Sequence, residues 1–330
     1  MNQQPLITSL RNWLADRPTR PPIGDDLEQL IDAHRLSGLL YHIGAHLGES
    51  IAQSAQKEWT NNAAAYLSRF RAVQEHWPSQ ASAPLLLKGA DYIENLYFTP
   101  GARRCVDIDI LVPPDSHDSV NAAFAQFPRR KDPLYERLPT DPIYAQGFMV
   151  GENLVELHRD AGPNHSAPLD VDSIYQRSLL KEIDGFWVRY PHPDDRLLLW
   201  LQNQSKSAFV DGLWSTVDLA LILQERLKQG DIHELTRLKE LATQYGLDNA
   251  FDLAMLRLDR HKIWPGRLQR GSRMLARFAN RICIDADTPT IMAARWRRQS
   301  LKLWLCPTRR RPAMVARMLV HALSGPGAAD

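Results

Sequence analysis

Two aspartates one residue apart, Asp107 and Asp109, are the part of this chain best suited to chemistry. They stand in the run Arg103-Arg104-Cys105-Val106-Asp107-Ile108-Asp109-Ile110-Leu111-Val112, whose aliphatic residues predict a strand with Ile108 and Ile110 facing the core. Side chains alternate between the faces of a strand, so both carboxylates would point the same way, about 6 to 7 Å apart. Like charges this close raise each other's pKa unless a divalent cation lies between them, so the pair predicts a metal site. The alternative is an exposed strand whose polar face carries two aspartates without a ligand.

A candidate phosphate-binding turn precedes this strand, at Lys88 and Gly89. The apolar run Leu85-Leu86-Leu87 stops there, and apolar residues then recur with helical spacing, which predicts a strand, a tight turn and a helix. A glycine at such a junction lets a phosphate approach the free amides of the helix N-terminus, and the lysine adds a positive charge. The alternative is a turn glycine after an ordinary core strand.

A third carboxylate is predicted on a β-hairpin further along the chain. Residues 148–150 and 154–158 flank the turn Gly151-Glu152-Asn153, and alternation places Glu156 and His158 on one face of the second strand. If that strand lies beside the aspartate strand, three acids can hold two Mg²⁺ ions about 3.5 to 4 Å apart, which suits phosphoryl or nucleotidyl transfer. His158 is a candidate general base or orienting residue, with a hydrogen-bonded structural histidine as the alternative.

Taken together, these motifs resemble those of the uncharacterised nucleotidyltransferase-like proteins of the DNA polymerase β superfamily. The matching positions are Lys88-Gly89, Tyr97, Arg103, Asp107 with Asp109 and Leu111-Val112, Glu156-Leu157-His158 and, more loosely, the Trp214-x-x-x-Asp218 segment. The resemblance covers roughly residues 25 to 225. It implies an α+β fold with a polymerase β-like core, in which helices flank a small mixed sheet.

The resemblance also implies roles for the acidic residues. Asp107 and Asp109 would bind the Mg²⁺ ion that carries a nucleoside triphosphate such as ATP. Glu156 would complete a second metal site and help the acceptor nucleophile lose its proton. Two Mg²⁺ ions are expected, and Mn²⁺ is an alternative.

Phosphate contacts are implied for the basic motif residues. Lys88 and Gly89 would bind the β and γ phosphates, and Arg103 would neutralise charge on the transferred or leaving phosphate. A structural ion pair is the alternative for Arg103. Lys206 and Asp218, in the helical region, are further candidates for nucleotide contacts, as is His158.

Three positions depart from the family pattern. Gly89 is followed by Ala90 where many relatives have serine, Glu156 stands where aspartate is frequent, and Lys206 is followed by Ser207 instead of histidine. The main functional hypothesis is an enzyme. Because of these departures, the alternative is an inactive scaffold that binds a nucleotide or a partner protein.

Composition and charge restrict the remaining function classes. The 330 residues include 40 basic and 38 acidic ones, so a formal net charge of +2 gives no overall field for nucleic acid. The three cysteines form no paired motif, and the sequence predicts neither a secretion signal nor a membrane span, so a cytoplasmic protein without integral membrane association is expected. The acceptor is unknown. A small molecule, peptide or protein is favoured.

Hydrophobic periodicity divides the chain into three predicted parts. Residues 1–80 form a helical segment, residues 81–190 the nucleotidyltransferase core, and residues 191–330 a helical domain. The last part is locally rich in arginine between residues 267 and 311. This stretch makes RNA a further candidate acceptor, with a solvated helical face as the alternative.

Overall fold

The structure is a computed structural model. It describes residues 4–17, 21–130, 144–163, 166–209, 211–227, 232–264, 301–312 and 315.

Six strands of the described chain form one mixed sheet. They are β1 (Leu85–Leu87), β2 (Ile108–Leu111), β3 (Ala145–Val150), β4 (Asn153–His158), β5 (Leu179–Ile183) and β6 (Phe186–Tyr190), in the order β3-β4-β2-β1-β6-β5. β1 runs antiparallel to β2 and parallel to β6, while β2 runs parallel to β4. β3–β4 and β5–β6 are antiparallel hairpins. The strands with acidic motifs, β2 and β4, are therefore direct neighbours near the middle of the sheet.

Helices precede, interrupt and follow the sheet in the described chain. They are α1 (Gln4–Leu14), α2 (Glu28–Ala33), α3 (Ser37–His42), α4 (Glu49–His76), α5 (Lys88–Tyr92), α6 (His117–Phe124), α7 (Val171–Arg177), α8 (Pro193–Ser207), α9 (Leu213–Arg226), α10 (Ile232–Gln244) and α11 (Asp248–His261). A π-helical turn, Ile93–Tyr97, continues α5 directly. The short strands and the long helices together give an α+β fold, so the predicted fold class is confirmed.

The two faces of the sheet belong to different hydrophobic clusters. Ile108 and Ile110 of β2 pack in one cluster with apolar residues of α4. Leu111 of β2 packs in the other cluster, together with residues of α8 and α9. Because side chains alternate along a strand, Asp109 lies on the same face as Leu111. The sheet thus points the candidate acids toward α8 and α9.

The second cluster contains buried residues from all three predicted parts of the chain, from Leu6 in α1 to Leu258 in α11. Helix α1 also bonds to α9 directly, because the Gln224 amide donates to the Leu14 carbonyl oxygen at 3.2 Å. The division into three parts at residues 80 and 190 stays a prediction. Most of the arginine-rich stretch, residues 265–300, lies outside the described residues.

None of the helices in the described part of the chain is both long and apolar enough to cross a lipid bilayer.

Candidate functional site

The register between β2 and β4 brings two of the predicted acids together. Asp109 stands opposite Glu156, and Leu111 stands opposite His158. The His158 Nε2 atom lies 2.8 Å from Asp109 Oδ1 and 3.7 Å from Glu156 Oε2. One ligand atom from each of these three residues fits within 4.8 Å of the other two. The predicted meeting of Glu156 with the aspartate strand is therefore what the structure shows.

Asp107 approaches this group from the start of β2. The strand begins at Ile108, so Asp107 lies in the bend that precedes it, instead of on the strand as predicted. The bend closes because Cys105 Sγ donates a hydrogen bond to the Asp107 carbonyl oxygen at 2.9 Å. Burial and the charge of Asp109 raise the pKa of Asp107 to about 6. The Asp107 carboxylate is therefore close enough to Asp109 for the two charges to interact.

Lys88 neutralises Asp109 directly. Leu87, the last residue of β1, stands opposite Asp109, so the next side chain reaches across and Lys88 Nζ donates a hydrogen bond to Asp109 Oδ1. Burial alone would raise the pKa of Asp109, but the Lys88 charge and the His158 hydrogen bond hold it well below its ordinary value. Lys88 has a left-handed backbone with φ of 46°, which is unfavourable for a residue with a Cβ atom and is often found at functional sites.

Glu156 has a cationic partner of its own, because Arg130 Nη1 donates to Glu156 Oε1 at 3.4 Å. Burial, followed by the charge of Asp109, raises the pKa of Glu156 to about 7. Its side chain remains 24% exposed, so it can be reached from outside the sheet. A cluster of carboxylates that resist ionisation together has the electrostatics of a divalent cation site, and oxygen ligands suit Mg²⁺.

His158 orients Asp109 in this arrangement. Burial and the Lys88 charge lower the pKa of His158 to about 4, so the ring is neutral near pH 7. Its Nε2 atom faces the ionised Asp109 and therefore carries the proton, while the buried Nδ1 atom has no hydrogen-bond partner among the described residues. A protonated Nε2 offers no lone pair to a metal, so Asp109 and Glu156 supply the carboxylate oxygens of this group, of which Asp107 is not a member.

Arg103 and Asp218 bind each other and both line the cleft, so their predicted contacts with the nucleotide stay a prediction. Arg103 donates from Nε to Asp218 Oδ1 and from Nη2 to Asp218 Oδ2, each at 3.0 Å, and Tyr97 donates to Asp218 Oδ1 at 2.7 Å. The guanidinium carbon lies 5.1 Å from the Tyr92 ring centre and 4.8 Å from that of Trp214. The structural ion pair, which the sequence left open for Arg103, is the arrangement observed.

Gly89 is required by packing in this structure. A Cβ atom at Gly89 would lie 2.9 Å from both Arg103 Nη1 and Cys105 Sγ. The left-handed backbone that a turn glycine usually adopts belongs to Lys88. Gly89 thus allows the Arg103 loop to pack on α5, and its predicted role in phosphate binding stays a prediction.

Lys206 approaches the acids from α8. Its Nζ atom donates to the Tyr144 hydroxyl at 3.0 Å, and the Tyr144 ring centre lies 5.8 Å from that of His158. A small cavity of about 20 Å³ lies between Lys88 and Lys206. No sequence motif identified Tyr144, because its position next to His158 depends on the pairing of β3 with β4. A second cation therefore stands beside the acidic group.

A cleft of about 190 Å³ lies next to this group. Lys88, Asp107 and Asp109 line it, whereas Glu156 and His158 do not. Trp214 of α9 lines the cleft together with three residues of α8, namely Trp200, Asn203 and Gln204. These α8 residues share one helical face. Their spacing can be read from the sequence, but it indicates a binding wall only when the helix is known to line a cleft.

Comparison with known families relates this geometry to a reaction type. A family model described as an uncharacterised nucleotidyltransferase matches residues 24–261. The chain belongs to this nucleotidyltransferase family. The match includes every described strand and the helices α2 to α11, so it contains the whole acidic site. The resemblance drawn from the motifs is thus confirmed, and the membership supports nucleotidyl transfer as the general reaction. No curated protein and no solved structure matches this nucleotidyltransferase.

Proposed function

We propose that the protein transfers a nucleoside monophosphate group from a nucleoside triphosphate to a hydroxyl or phosphate of an acceptor, and releases pyrophosphate. The observation that carries the proposal is the pairing of Asp109 with Glu156 across parallel strands, next to Lys88, where Asp109 and Lys88 also line a cleft. Asp107, Asp109 and Glu156 would hold Mg²⁺, two ions in all. When bound, the ions would neutralise the triphosphate and polarise the phosphate under attack.

The chain's own residues supply positioning and proton transfer. His158 fixes the Asp109 carboxylate through a 2.8 Å hydrogen bond, so that the ligand does not rotate. The partly exposed Glu156 carboxylate accepts the proton of the acceptor hydroxyl as the new phosphate ester bond forms. Before this transfer, as the triphosphate binds, Lys88 exchanges its contact with Asp109 for a phosphate oxygen of the triphosphate.

Lys206 stabilises the leaving pyrophosphate. It reaches the acidic site from α8, held by Tyr144 at 3.0 Å, on the side of the small cavity that it shares with Lys88. Two ammonium groups on either side of that cavity favour negative charge between them. The favoured acceptors are a small molecule, a peptide or a protein, and RNA remains a candidate through the arginine-rich stretch.

The direct test is label transfer. The purified protein is incubated with Mg²⁺, each nucleoside triphosphate labelled at the α phosphate, and a panel of hydroxyl and phosphate acceptors that includes peptides and RNA. Label on an acceptor together with pyrophosphate release is expected, with both lost in Asp109→Asn and Glu156→Gln. The control is Glu152→Gln, an exposed acid in the turn of the same hairpin, which should keep full activity. Transfer that survives in Asp109→Asn would refute the proposal.

One observation favours an inactive nucleotide-binding scaffold as the second candidate. Ala90, fully buried after Gly89, provides no hydroxyl for a phosphate. For a scaffold, Mg²⁺-dependent nucleotide binding would be measurable while label transfer stays at background with every acceptor.

A further inference from the structure

One half of the cleft has no part in the reaction proposed above. Asp107, Asp109 and Lys88 line the cleft from the sheet side together with the loop before β2, whereas α8 and α9 contribute a wall of aromatic and amide side chains; Arg35 and Arg104 also line the cleft. On α8, Trp200, Asn203 and Gln204 are spaced by three and four residues, so they lie on one helical face toward the cleft.

Two buried polar atoms in this wall have no hydrogen-bond partner within the described part of the chain. Trp200 is 2% exposed and Gln204 is 1% exposed, yet Trp200 Nε1 and Gln204 Oε1 have no hydrogen-bond partner among the described residues. The Gln204 amide nitrogen donates to Asp211 Oδ2 at 2.7 Å, so the free atom is the acceptor oxygen. Unpaired buried donors and acceptors are rare in native proteins, and those in a cleft wall are candidates for ligand contacts.

Trp214 gives the same wall a fixed aromatic surface. Its ring packs on the Arg103 guanidinium with 4.8 Å between the guanidinium carbon and the ring centre. Asp218 holds that guanidinium with two hydrogen bonds of 3.0 Å. Because the charge of Arg103 is already paired, the wall at Trp214 is suited to a flat, uncharged group instead of a further phosphate.

We infer that this wall is the nucleobase subsite of the triphosphate substrate, with the base stacked on Trp214 and its edge bonded to Gln204 Oε1 and Trp200 Nε1. The inference rests on the proposed function, which places the triphosphate at the acidic end of the cleft. Each of the four bases carries a donor next to an acceptor, so the pair orients the base without selecting one. Both protein atoms are enclosed in the present structure, and the side chains of the wall therefore rotate as the base enters.

The test compares two ligands that each carry a chain of three phosphorus groups, one with a nucleoside and one without. Binding of an α,β-methylene analogue of ATP and of inorganic tripolyphosphate, each with Mg²⁺, is measured by calorimetry. The wild-type protein is expected to bind the nucleotide about tenfold more tightly than tripolyphosphate, because stacking of a base on an aromatic side chain is worth about that factor or more. Trp214→Leu and Gln204→Met should each lower affinity for the nucleotide and leave tripolyphosphate affinity unchanged.

The controls separate stacking from a structural effect. Trp214→Phe keeps an aromatic face and should retain most of the nucleotide affinity, whereas Trp187→Leu, a half-exposed tryptophan on β6, should change neither ligand. Two results would overturn the nucleobase subsite: an equal loss of affinity for both ligands in Trp214→Leu, or equal affinities of the wild-type protein for the two ligands. The wall would then be a candidate binding surface for the acceptor. Absence of Mg²⁺-dependent binding of either ligand would refute the proposed function itself.

Discussion

Replacing Lys88 by methionine should tighten the binding of a divalent ion and weaken the binding of the triphosphate. Lys88 Nζ bonds to the same oxygen, Asp109 Oδ1, that a cation would use. The lysine is therefore a competitor for the metal in the free protein and a ligand for phosphate in the complex. Methionine keeps an unbranched side chain, one heavy atom shorter, and removes its charge, and it experiences the same left-handed backbone with φ of 46°.

The size of the effect follows from the contact that a metal ion must break. A hydrogen bond between charged groups contributes about 1.5 to 3 kcal/mol, and a displaced Lys88 can regain water. Its side chain is 23% exposed, against 4% for Asp109, so the lower end of that range applies. We expect Mg²⁺ alone to bind roughly tenfold more tightly to Lys88→Met, since about 1.4 kcal/mol corresponds to a factor of ten.

Thermal unfolding provides a second readout for the same variant. Without metal, Asp109 stays buried and keeps only the His158 hydrogen bond, so Lys88→Met should lose about 3 kcal/mol of unfolding free energy. Saturating Mg²⁺ should recover much of this loss, because a bound ligand stabilises the folded state. The rise in Tm caused by saturating Mg²⁺ should therefore be larger for Lys88→Met than for the wild-type protein.

Isothermal titration calorimetry with Mg²⁺ checks the expected gain in affinity for the ion. A separate titration with tripolyphosphate checks the expected loss of affinity for the phosphate chain. Lys181→Met is the matched control, because Lys181 is a half-exposed lysine on β5 whose salt bridge to Glu94 involves none of the candidate acids. Affinity for Mg²⁺ that is unchanged or lower in Lys88→Met would show that Lys88 and the ion do not compete for Asp109. The metal site would then have to be placed elsewhere.

Three further predictions concern the acids and a buried ion pair. Glu156→Gln should weaken Mn²⁺ binding at least about tenfold in calorimetry, since it removes one carboxylate from a small oxygen donor set. Divalent ion affinity should fall roughly twenty-fold from pH 8 to pH 6, because ions bind the ionised carboxylates and compete with protons. Burial raises the pKa of Glu156 to about 7 and that of Asp107 to about 6, so both groups gain protons in this range. Calorimetric titrations at several pH values measure the change in affinity. Arg196→Met should lower the unfolding free energy in urea by about 3 to 5 kcal/mol, because Asp91 would stay buried without its cation.

The sequence predicts the positions of site residues where the alternation of side chains along a strand and the geometry of a sheet determine them. The alternation of Val155 and Leu157 with Glu156 and His158 follows directly from the period of a strand. The pairing of that strand with β2 was a hypothesis from the motifs, and the register places Glu156 opposite Asp109. The start of β2 at Ile108 was missed, because the bend at Asp107 depends on a thiol contact that strand propensity does not include.

Contacts between distant segments could not be predicted from the sequence. Arg103 and Asp218 are 115 positions apart, and residue type alone does not distinguish an arginine or aspartate of an internal ion pair from one that contacts a ligand. Their pairing depends on how α9 packs over the loop before β2, which a single sequence does not specify. The same reason applies to Trp200 and Gln204, whose place in a cleft wall depends on where α8 crosses the sheet.

Two buried ion pairs indicate that the cleft is largely formed before a ligand enters. Arg196 of α8 binds Asp91 of α5 with two hydrogen bonds of 2.7 and 2.8 Å, and both side chains are 1% exposed. Arg103, in the segment between α5 and β2, binds Asp218 of α9 in the same bidentate manner. The segment that begins with Lys88 is thus fixed to both helices of the opposite wall. Separating sheet and helices would leave buried charges unpaired, which is costly. Substrate binding therefore requires side chains such as Lys88 to move, while the backbone on both sides of the cleft keeps its position.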